Sequence, residues 1–318
     1  MQQVALLDTS ILSLNCGDRI IMDACQQVAA SIFPNAYFIP IPTHEYVTEV
    51  SYRQMRDSQV SLVCGTNLLS SNMDQYNQWK INQDYANNVN DIVLFGVGWW
   101  QYQDAPNEYT SNLFKSVLSK DKIHSVRDSY TRTKLNEIGI QNVVNTGCPT
   151  MWSLTNAHCE QIPTAQADHV VTTVTDYHAD KARDKEMLLN LLENYKKVFI
   201  WLQSKRDLPY LEKVLGDSLN EFTIIPPQVE KFNSLLASDL SLDYVGTRLH
   251  AGIRALQHKR RSLIISVDNR AAEIGKDSHL NVLSRSQIEQ LTERIINPFN
   301  TSIQLLEDNI LIWKSQFE

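Results

Sequence analysis

The stretch LDYVGTRLHAGIRALQ, residues 242–257, puts a permanent cation and a titratable imidazole where a strand is predicted to give way to a helix. Arg248 and His250 lie in the first turn of that helix, and its apolar stripe begins at Leu249. A helix N-terminus offers free amides and a partial positive charge, so it attracts anions. Arginine binds carboxylate or phosphate through two parallel hydrogen bonds, and histidine moves protons near neutral pH. The stretch therefore predicts an anion site that includes an acid–base group.

The geometry of a helix permits this interpretation without requiring it. On an ideal helix Arg248 and His250 point about 160° apart, because successive residues are rotated by about 100°. Both can approach one ligand only if Arg248 still belongs to the turn and reaches over the helix end. A lone buried histidine is more often structural, so position alone leaves a structural role for His250 open.

The other strand-to-helix turns are the next candidates, because ligands in open α/β sheets bind outside the carboxyl ends of the strands. In HSVRDSYT, Arg127 is either a partner of Asp128 or an anion-binding group at the end of a strand. The turn WLQSKRD offers polar residues that would face the expected cleft, namely Gln203, Ser204, Lys205 and Arg206, although surface charge is the simpler interpretation of this turn.

Three turns with small residues would let the backbone approach a ligand closely. In NCGD, Gly17 permits a tight turn and Asp18 would cap a helix starting at Arg19, which makes a structural role the simpler one. CGTNLL, residues 64–69, and FGVGWWQ, residues 95–101, also follow predicted strands. Neither matches a dinucleotide- or phosphate-binding glycine motif, so ligand contact and plain packing are equally good interpretations.

The composition narrows the class of protein. The chain has 318 residues, 43% of them hydrophobic and 20% charged, enough for two domains of ordinary size. Its net charge of -7 argues against nonspecific nucleic-acid binding, which depends on Lys and Arg. The five cysteines form no CxxC pair, and we interpret them as reduced thiols. No HExxH, DxD or Cys/His ligand set is present, so no catalytic metal is indicated.

The sequence shows no targeting or membrane-spanning segment. MQQVALLDTS lacks the basic and long apolar regions of a signal peptide. The longest apolar run, IVLFGVGWW, is far below the roughly 20 residues of a membrane helix. We expect a cytoplasmic protein, and peripheral association with the inner face of the membrane remains open.

Strand-like runs alternate with helix-length amphipathic segments along the whole chain. The runs are VALLD, AYFIPIP, VSLVCG, DIVLFGVG, KIHSV and NVVNTG, then HVVTTVT, KVFIWLQS, FTIIPP, DYVGT and SLIISV. Short apolar strands separated by helices indicate parallel sheets covered on both faces. The pattern predicts an α/β fold of two doubly wound, Rossmann-like domains that face a cleft. The segment 148–169 resembles a linker, so we predict domains at 1–158 and 165–318, with the last helix crossing back to the first domain.

Three motifs in order resemble the polysaccharide pyruvyl transferase family. SVRDSYTRTKLNEIGIQNVVNTGCPTMW resembles its central motif, in which a strand ending S-x-R-D is followed by a helix, a short strand and T-G-C/D-P-T/A. YVGTRLHAGIRAL resembles its second signature, in which G-x-R-L-H opens a helix. Asn15, Gly17 and Asp18 match an N-x-G-D start after the first strand. One departure is the turn TVTDYHADK, which is less basic than the family would predict.

The resemblance implies a fold like that of the GT-B glycosyltransferases. It also implies transfer of a pyruvyl group from phosphoenolpyruvate to a sugar diol, which forms a cyclic ketal and releases phosphate without a cofactor. The acceptor would be a cell-surface polysaccharide or its lipid- or nucleotide-linked precursor. By motif, Arg127 and Arg248 would hold the donor, and His250 would be the acid–base residue. The remaining donor-side candidates are Gly246, Thr247, Leu249, Ser204 and Lys205, and the weaker acceptor-side candidates are Asn15, Asp18, Asn67, Trp99 and Gln101.

Two other classes of function fit the same residues. A glycosyltransferase with a nucleotide-sugar donor would use Arg248 with Lys205 or Arg206 on the diphosphate, and Glu273 on the ribose. A noncatalytic sugar- or anion-binding module would bind without turnover, and replacement of His250 would then leave its function intact.

Overall fold

The computed structural model describes residues 2–318 and divides the chain into two compact units. Unit 1 comprises the chain up to Ser13, Ile21–Trp152 and Leu305–Glu318. Unit 2 comprises Leu14–Ile20 and Ser153–Gln304. None of the helices within residues 2–318 combines the length and the apolar composition that crossing a membrane requires.

Unit 1 is built on parallel strands with helices between them. Its strands are β1 (Gln2–Asp8), β2 (Ala36–Pro42), β3 (Val60–Cys64), β4 (Ile92–Phe95), β5 (His124–Val126) and β6 (Val143–Asn145). The first four form a sheet in the order β2-β1-β3-β4, and β5 pairs with β6. A single bridge between Val97 and Val126 connects the two sheets. The helices are α1 (Cys16–Ile32), α2 (Glu49–Arg56), α3 (Gln83–Asn88), α4 (Glu108–Val117), α5 (Ser129–Glu137) and, from the end of the chain, α13 (Glu307–Ser315).

Both faces of the main sheet in unit 1 are covered, as its apolar strands predict. Side chains alternate between the two faces of a strand. In β1, Ala5 and Leu7 pack into one hydrophobic cluster, and Val4 and Leu6 pack into a second. This double burial explains why the strand is a continuous apolar run and not an alternating one.

Unit 2 contains a six-stranded parallel sheet in the order β12-β11-β10-β7-β8-β9. The strands are β7 (His169–Thr172), β8 (Lys197–Trp201), β9 (Thr223–Ile225), β10 (Leu242–Gly246), β11 (Ser262–Ser266) and β12 (Val282–Ser284). The helices are α6 (Asn156–Cys159), α7 (Lys181–Asn194), α8 (Asp207–Leu215), α9 (Val229–Leu236), α10 (Leu249–Gln257), α11 (Asn269–Ser278) and α12 (Leu291–Ile296). Counted from β7, this is the 3-2-1-4-5-6 order of a Rossmann domain, whose ligand crevice lies where the order reverses, between β7 and β10.

All eleven predicted strands are present, and most are shorter than the apolar runs that predicted them. The predicted apolar stripe of α10 is also confirmed, because Leu249, Ile253 and Leu256 are all buried. The sequence did not predict β12, a three-residue edge strand whose hydrophobic signal is too short to recognise.

The two units differ from the predicted domains in three segments. Residues 153–164 belong to unit 2, where the Nε2 of His158 lies 2.8 Å from the carbonyl oxygen of Leu256. The first turn of α1 also belongs to unit 2, because the Cys16 amide donates to the carbonyl of Gln203 at 3.0 Å. The end of the chain belongs to unit 1, which confirms the predicted crossing of the last helix.

One side chain anchors α13 in unit 1. Trp313 is fully buried, and its ring stacks on Phe95 with 4.5 Å between centroids. Trp152 and Phe317 meet its edge at centroid distances of 6.0 and 5.1 Å. A long-range aromatic cluster of this kind cannot be read from the helix's own periodicity.

We expect Trp313→Ala to lower the free energy of unfolding by about 3–5 kcal/mol, because it leaves a large cavity beside Phe95. Urea unfolding of the purified protein measures the change. Leu311→Ala is the matched control, since Leu311 lies on the same helix and is 64% exposed. Equal stability of the two variants would contradict the anchoring role.

A buried histidine on β5 makes the stability of unit 1 dependent on pH. His124 is fully buried, its Nδ1 accepts from the Leu94 amide at 3.2 Å, and its Nε2 donates to the carbonyl of Ser119 at 2.9 Å. These partners fix a neutral ring. Burial lowers the pKa of His124 to about 4.

The unfolded chain therefore binds this proton more readily than the folded one, so the contribution of His124 is present above about pH 6.5 and is lost towards pH 4. We expect a loss of about 3 kcal/mol across this range, taking 1.36 kcal/mol per pKa unit. Unfolding curves of wild type and His124→Gln at several pH values isolate the effect. Parallel pH dependence in both proteins would refute it.

Candidate active site

The turn after β10 is tied closely to the chain that follows β7. A Cβ on Gly246 would lie 2.7 Å from the backbone nitrogen of Thr173, so only glycine permits this approach. The Thr247 amide donates to the Thr173 carbonyl at 3.0 Å, and the hydroxyls of Thr247 and Thr175 are 2.8 Å apart. Glycine and two threonines therefore fix the point where the strand order of unit 2 reverses.

Arg248 lies in this turn and not in the helix. Its backbone, at φ -97° and ψ 108°, is extended, and α10 begins at the next residue. This is the condition under which Arg248 and His250 can serve one ligand. Both residues, with Thr247 and Leu249, line the same pocket.

The guanidinium of Arg248 is buried and bonded to protein groups on three sides. Its Nε donates to the carbonyl of Val174 at 2.7 Å. Its Nη2 donates to Asp176 Oδ1 at 3.2 Å and to Asp207 Oδ1 at 2.9 Å. The ring of Tyr177 covers it, 4.9 Å from Cζ to centroid. Because the side chain is only 4% exposed, Arg248 holds the site together as well as lining it.

Asp207, in the first turn of α8, is the buried partner of this arginine. Burial raises the pKa of its carboxyl, and the charge of Arg248 opposes that rise. Its other oxygen accepts amide hydrogens from Gln203 at 2.7 Å and Ser204 at 3.0 Å. Sequence analysis did not identify Asp207, although an acidic residue at the start of a helix after a strand was a usable signal.

Three helix N-termini contribute to the pocket. Its lining includes Asn15 and Gly17 at the start of α1, residues 247–250 at the start of α10, and Asp268, Arg270 and Ala271 at the start of α11. The empty space at this point, open solvent included, is about 350 Å³. Helix N-termini carry partial positive charge, so their convergence favours an anion even where nearby arginines are paired with carboxylates.

Arg270 and Tyr177 line the pocket and were not among the predicted site residues. Arg270 Nε donates to Asp268 Oδ2 at 2.8 Å, and its Nη2 donates to the Tyr177 hydroxyl. The Tyr177 ring contacts both guanidinium groups, with its centroid 4.9 Å from Cζ of Arg248 and 5.6 Å from Cζ of Arg270. A basic residue in the first turn of the helix that follows β11 was the available signal for Arg270.

The acidic turn after β7 has a structural explanation. Asp176, in the stretch that departs from the family pattern, pairs with Arg248 through one oxygen and with Arg206 Nε, at 3.0 Å, through the other. The carboxylate that departs from the expected basic turn therefore neutralises cations of the same site.

The turn after β8 brings in fewer side chains than we predicted. The Ser204 hydroxyl accepts from the Arg206 amide at 3.1 Å, which makes Ser204 a turn-stabilising residue. Lys205 is exposed and is not part of the pocket lining within residues 2–318.

The NCGD turn differs in detail from its prediction. Helix α1 begins at Cys16, so Asp18 lies inside its first turn, and the predicted cap before Arg19 is wrong. The Gly17 amide instead donates to Asn15 Oδ1 at 3.1 Å. Asn15 therefore takes the capping position and also lines the pocket.

Arg127, at the end of β5, is buried within unit 1 and is not at an open strand end. Its Nε donates to Asp128 Oδ2 at 3.1 Å, its Nη2 donates to Asn67, and its guanidinium lies over Gly98. Its Nη1 is buried without a hydrogen-bond partner within residues 2–318. Asp128 also accepts from the Thr131 amide at 2.7 Å, so it caps α5. A predicted donor residue and a predicted acceptor residue, Arg127 and Asn67, are thus direct neighbours.

Trp99 does not present a face to a saccharide. It is fully buried, its Nε1 donates to Gln103 Oε1 at 3.0 Å, and it packs against Phe114. The neighbouring Trp100 stacks on Tyr76 at 4.1 Å. Gln101 is half-buried and adopts a left-handed conformation, with φ 57°, in the same loop. Of the two neighbouring tryptophans, Trp99 is the one buried in the core.

Comparison with solved structures places the fold in a known class. The chain is similar to a co-structure of S. aureus MnaA with UDP, with a TM-score of 0.52, 12% identity, and coverage of 100% of this chain and 91% of the other. It is equally similar to UDP-N-acetylglucosamine 2-epimerase from Rickettsia bellii, with a TM-score of 0.51, 12% identity, and coverage of 99% and 95%. At this identity the likeness concerns the fold alone, and it confirms the predicted GT-B-like class. No curated protein matches the chain.

The family follows from the sequence itself. The profile described as "Polysaccharide pyruvyl transferase" matches residues 15–269, which include all three motifs. The chain therefore belongs to the polysaccharide pyruvyl transferase family and is a transferase. Within residues 2–318, no three His, Cys, Asp or Glu side chains are grouped as metal ligands would be.

We expect Arg248→Ala to lower the free energy of unfolding by about 3–5 kcal/mol, because it leaves the carboxylate of Asp207 buried without its cation. Thermal or urea unfolding measures the loss. Arg206→Ala is the matched control, since Arg206 pairs with the same Asp176 but its side chain is 59% exposed, and we expect less than about 1 kcal/mol. If the two variants are equally stable, the Arg248 cluster does not support the fold.

Proposed function

We propose that the chain transfers the pyruvyl group of phosphoenolpyruvate to two hydroxyl groups of a saccharide, forming a cyclic ketal and releasing phosphate. The proposed acceptor is a cell-surface polysaccharide or its lipid- or nucleotide-linked precursor. Family membership supports this activity. We also propose that the reaction takes place in the cytoplasm, with a lipid-linked acceptor reached at the inner face of the membrane.

The observation that carries the proposal is the pocket of unit 2. It joins Arg248, His250 and the N-termini of α1, α10 and α11 at the point where the strand order reverses. Phosphoenolpyruvate is a very small molecule with up to three negative charges. Helix-end amides and arginine forks are the groups that bind such an anion.

The contacts of Arg248 limit how it holds the donor. Its Nε and Nη2 already bond to Val174, Asp176 and Asp207. Donor binding at Nη2 would follow exchange of the Asp176 carboxylate for an oxygen of the donor, because Asp176 is more exposed than Asp207. The buried pair with Asp207 keeps the guanidinium in place.

The chemistry needs protons moved at defined atoms and no redox cofactor. A proton delivered to the methylene carbon makes C2 electrophilic, and one sugar hydroxyl adds there and loses its proton. The C2–O bond to phosphate then breaks, and the second hydroxyl adds and loses its proton to close the ketal. We assign His250 to these transfers, because it lines the pocket beside Arg248 and imidazole exchanges protons near neutral pH.

We expect phosphoenolpyruvate at 100 times its dissociation constant to stabilise the folded protein by about 2.7 kcal/mol. Thermal unfolding with phosphoenolpyruvate, and in parallel with uridine and guanosine diphosphate sugars, measures this. Arg248→Lys should reduce the shift, because lysine keeps a charge for Asp207 but loses the planar fork. Stabilisation by a nucleotide sugar and not by phosphoenolpyruvate would instead support a glycosyltransferase, with Glu273 as the ribose candidate.

We expect His250→Ala to keep the phosphoenolpyruvate shift and to lower turnover by about 10²–10⁴-fold, the usual contribution of a general acid–base group. Phosphate release in the presence of saccharides with neighbouring hydroxyls measures turnover. His258→Ala, at the opposite end of α10, is the control and should be active. A near wild-type rate in His250→Ala would remove this histidine from the mechanism and favour a binding module.

A further inference from the structure

One residue that lines the pocket carries a buried side-chain N–H donor without a hydrogen-bond partner within residues 2–318. Gln203 follows β8, is 2% exposed, and lines the same pocket as Arg248 and His250. Within residues 2–318, its Nε2 has no hydrogen-bond partner. A buried donor left unsatisfied costs about 1–3 kcal/mol, so such a group in a native protein needs a physical explanation.

Nε2 of Gln203 is not needed to stabilise the turn after β8, because the backbone of Gln203 makes the hydrogen bonds that stabilise it. Its amide donates to Asp207 Oδ2 at 2.7 Å, and its carbonyl accepts from the Cys16 amide at 3.0 Å. These two bonds fix the residue between the starts of α8 and α1. The backbone of Gln203 is therefore held in place by its own hydrogen bonds, and Nε2 contributes none to the fold within residues 2–318.

The surroundings of this amide define the ligand group that would satisfy it. A Cβ on Gly17 would lie 3.4 Å from Gln203 Oε1 and 3.3 Å from the Asn15 amide, so the glycine keeps a side chain out of this space. The side-chain oxygen of Gln203 therefore lies beside the N-terminus of the 17-residue helix α1, with Nε2 on the same amide group. An N–H donor calls for an acceptor atom, and the positive helix end favours an anionic one.

We propose that Gln203 is a ligand-binding residue whose Nε2 donates to an oxyanion oxygen of the substrate held in this pocket. The inference rests on the proposed function for the identity of that substrate, phosphoenolpyruvate. The oxygen belongs either to its carboxylate or to its phosphoryl group, since both have the same acceptor chemistry. Gln203 would thereby orient the donor relative to His250.

The test is Gln203→Met, which keeps the length of the side chain and removes the amide. We expect the dissociation constant of phosphoenolpyruvate, measured by calorimetric titration, to rise roughly 10- to 100-fold, the effect of losing one hydrogen bond to a charged group. The melting temperature of the ligand-free protein should stay the same or rise, because the variant no longer buries an unsatisfied donor. A lower melting temperature with unchanged affinity would identify a structural glutamine and overturn the proposal.

Gln228→Met is the matched control. Gln228 follows the neighbouring strand β9 and is exposed, and its side chain makes no capping hydrogen bond. Both the affinity and the melting temperature should be unchanged. Titrations of both variants with inorganic phosphate and with pyruvate show which end of the donor Gln203 contacts, because affinity for only that probe should fall in Gln203→Met.

The outcomes separate this inference from the proposed function. If wild type binds phosphoenolpyruvate and Gln203→Met binds it equally well, Gln203 is excluded and the proposed donor stands. If wild type binds UDP and not phosphoenolpyruvate, and Gln203→Met loses that binding, Gln203 is retained and the proposed donor falls. If wild type binds none of phosphoenolpyruvate, phosphate, pyruvate and UDP, both are overturned.

Discussion

The buried guanidinium of Arg248 is the interaction on which the site of unit 2 depends. It bonds to Asp176 after β7 and to Asp207 after β8, while its own backbone ends β10. One side chain therefore connects the carboxyl ends of three strands across the point where the strand order reverses. Breaking a buried pair of this kind is expensive, because the partner carboxylate stays behind in a low-dielectric environment. The same contacts that fix Arg248 at the edge of the pocket also hold the unit together.

This arrangement limits the positive charge that the arginines could offer to an anionic ligand. Arg206, Arg248 and Arg270 are each paired with a carboxylate, so the pocket is not simply a cluster of free cations. The field that remains comes from the N-termini of α1, α10 and α11, whose amides cannot be neutralised by proton transfer. Paired arginines still contribute directional N–H donors, and a ligand oxygen that replaces a carboxylate keeps the charge balance.

Unit 1 also contains a buried arginine that pairs with a carboxylate at the end of a strand. Arg127 at the end of β5 is buried, pairs with Asp128 and bonds to Asn67, which follows β3. Gly98 after β4 leaves room for the guanidinium. The two arginines that the family motifs single out are thus both fixed by a buried carboxylate. The planar guanidinium has five N–H donors, so it can donate to acceptor groups that follow several strands at once. The compact ammonium group of lysine does not offer this planar fork.

The sequence by itself determined eleven of the twelve strands within residues 2–318, the apolar stripe of α10, the family, and the turns at which the candidate site residues occur. These are local properties, because apolar runs, glycines and short motifs act over neighbouring residues. Only the tertiary structure decided that Trp99 is buried, that Asp176 and Asp207 neutralise Arg248, and that Gln203 lines the pocket. It also decided that the first turn of α1 belongs to unit 2 and α13 to unit 1. Those outcomes depend on contacts between residues far apart in the chain. A local sequence pattern does not predict which distant side chain pairs with a buried charge.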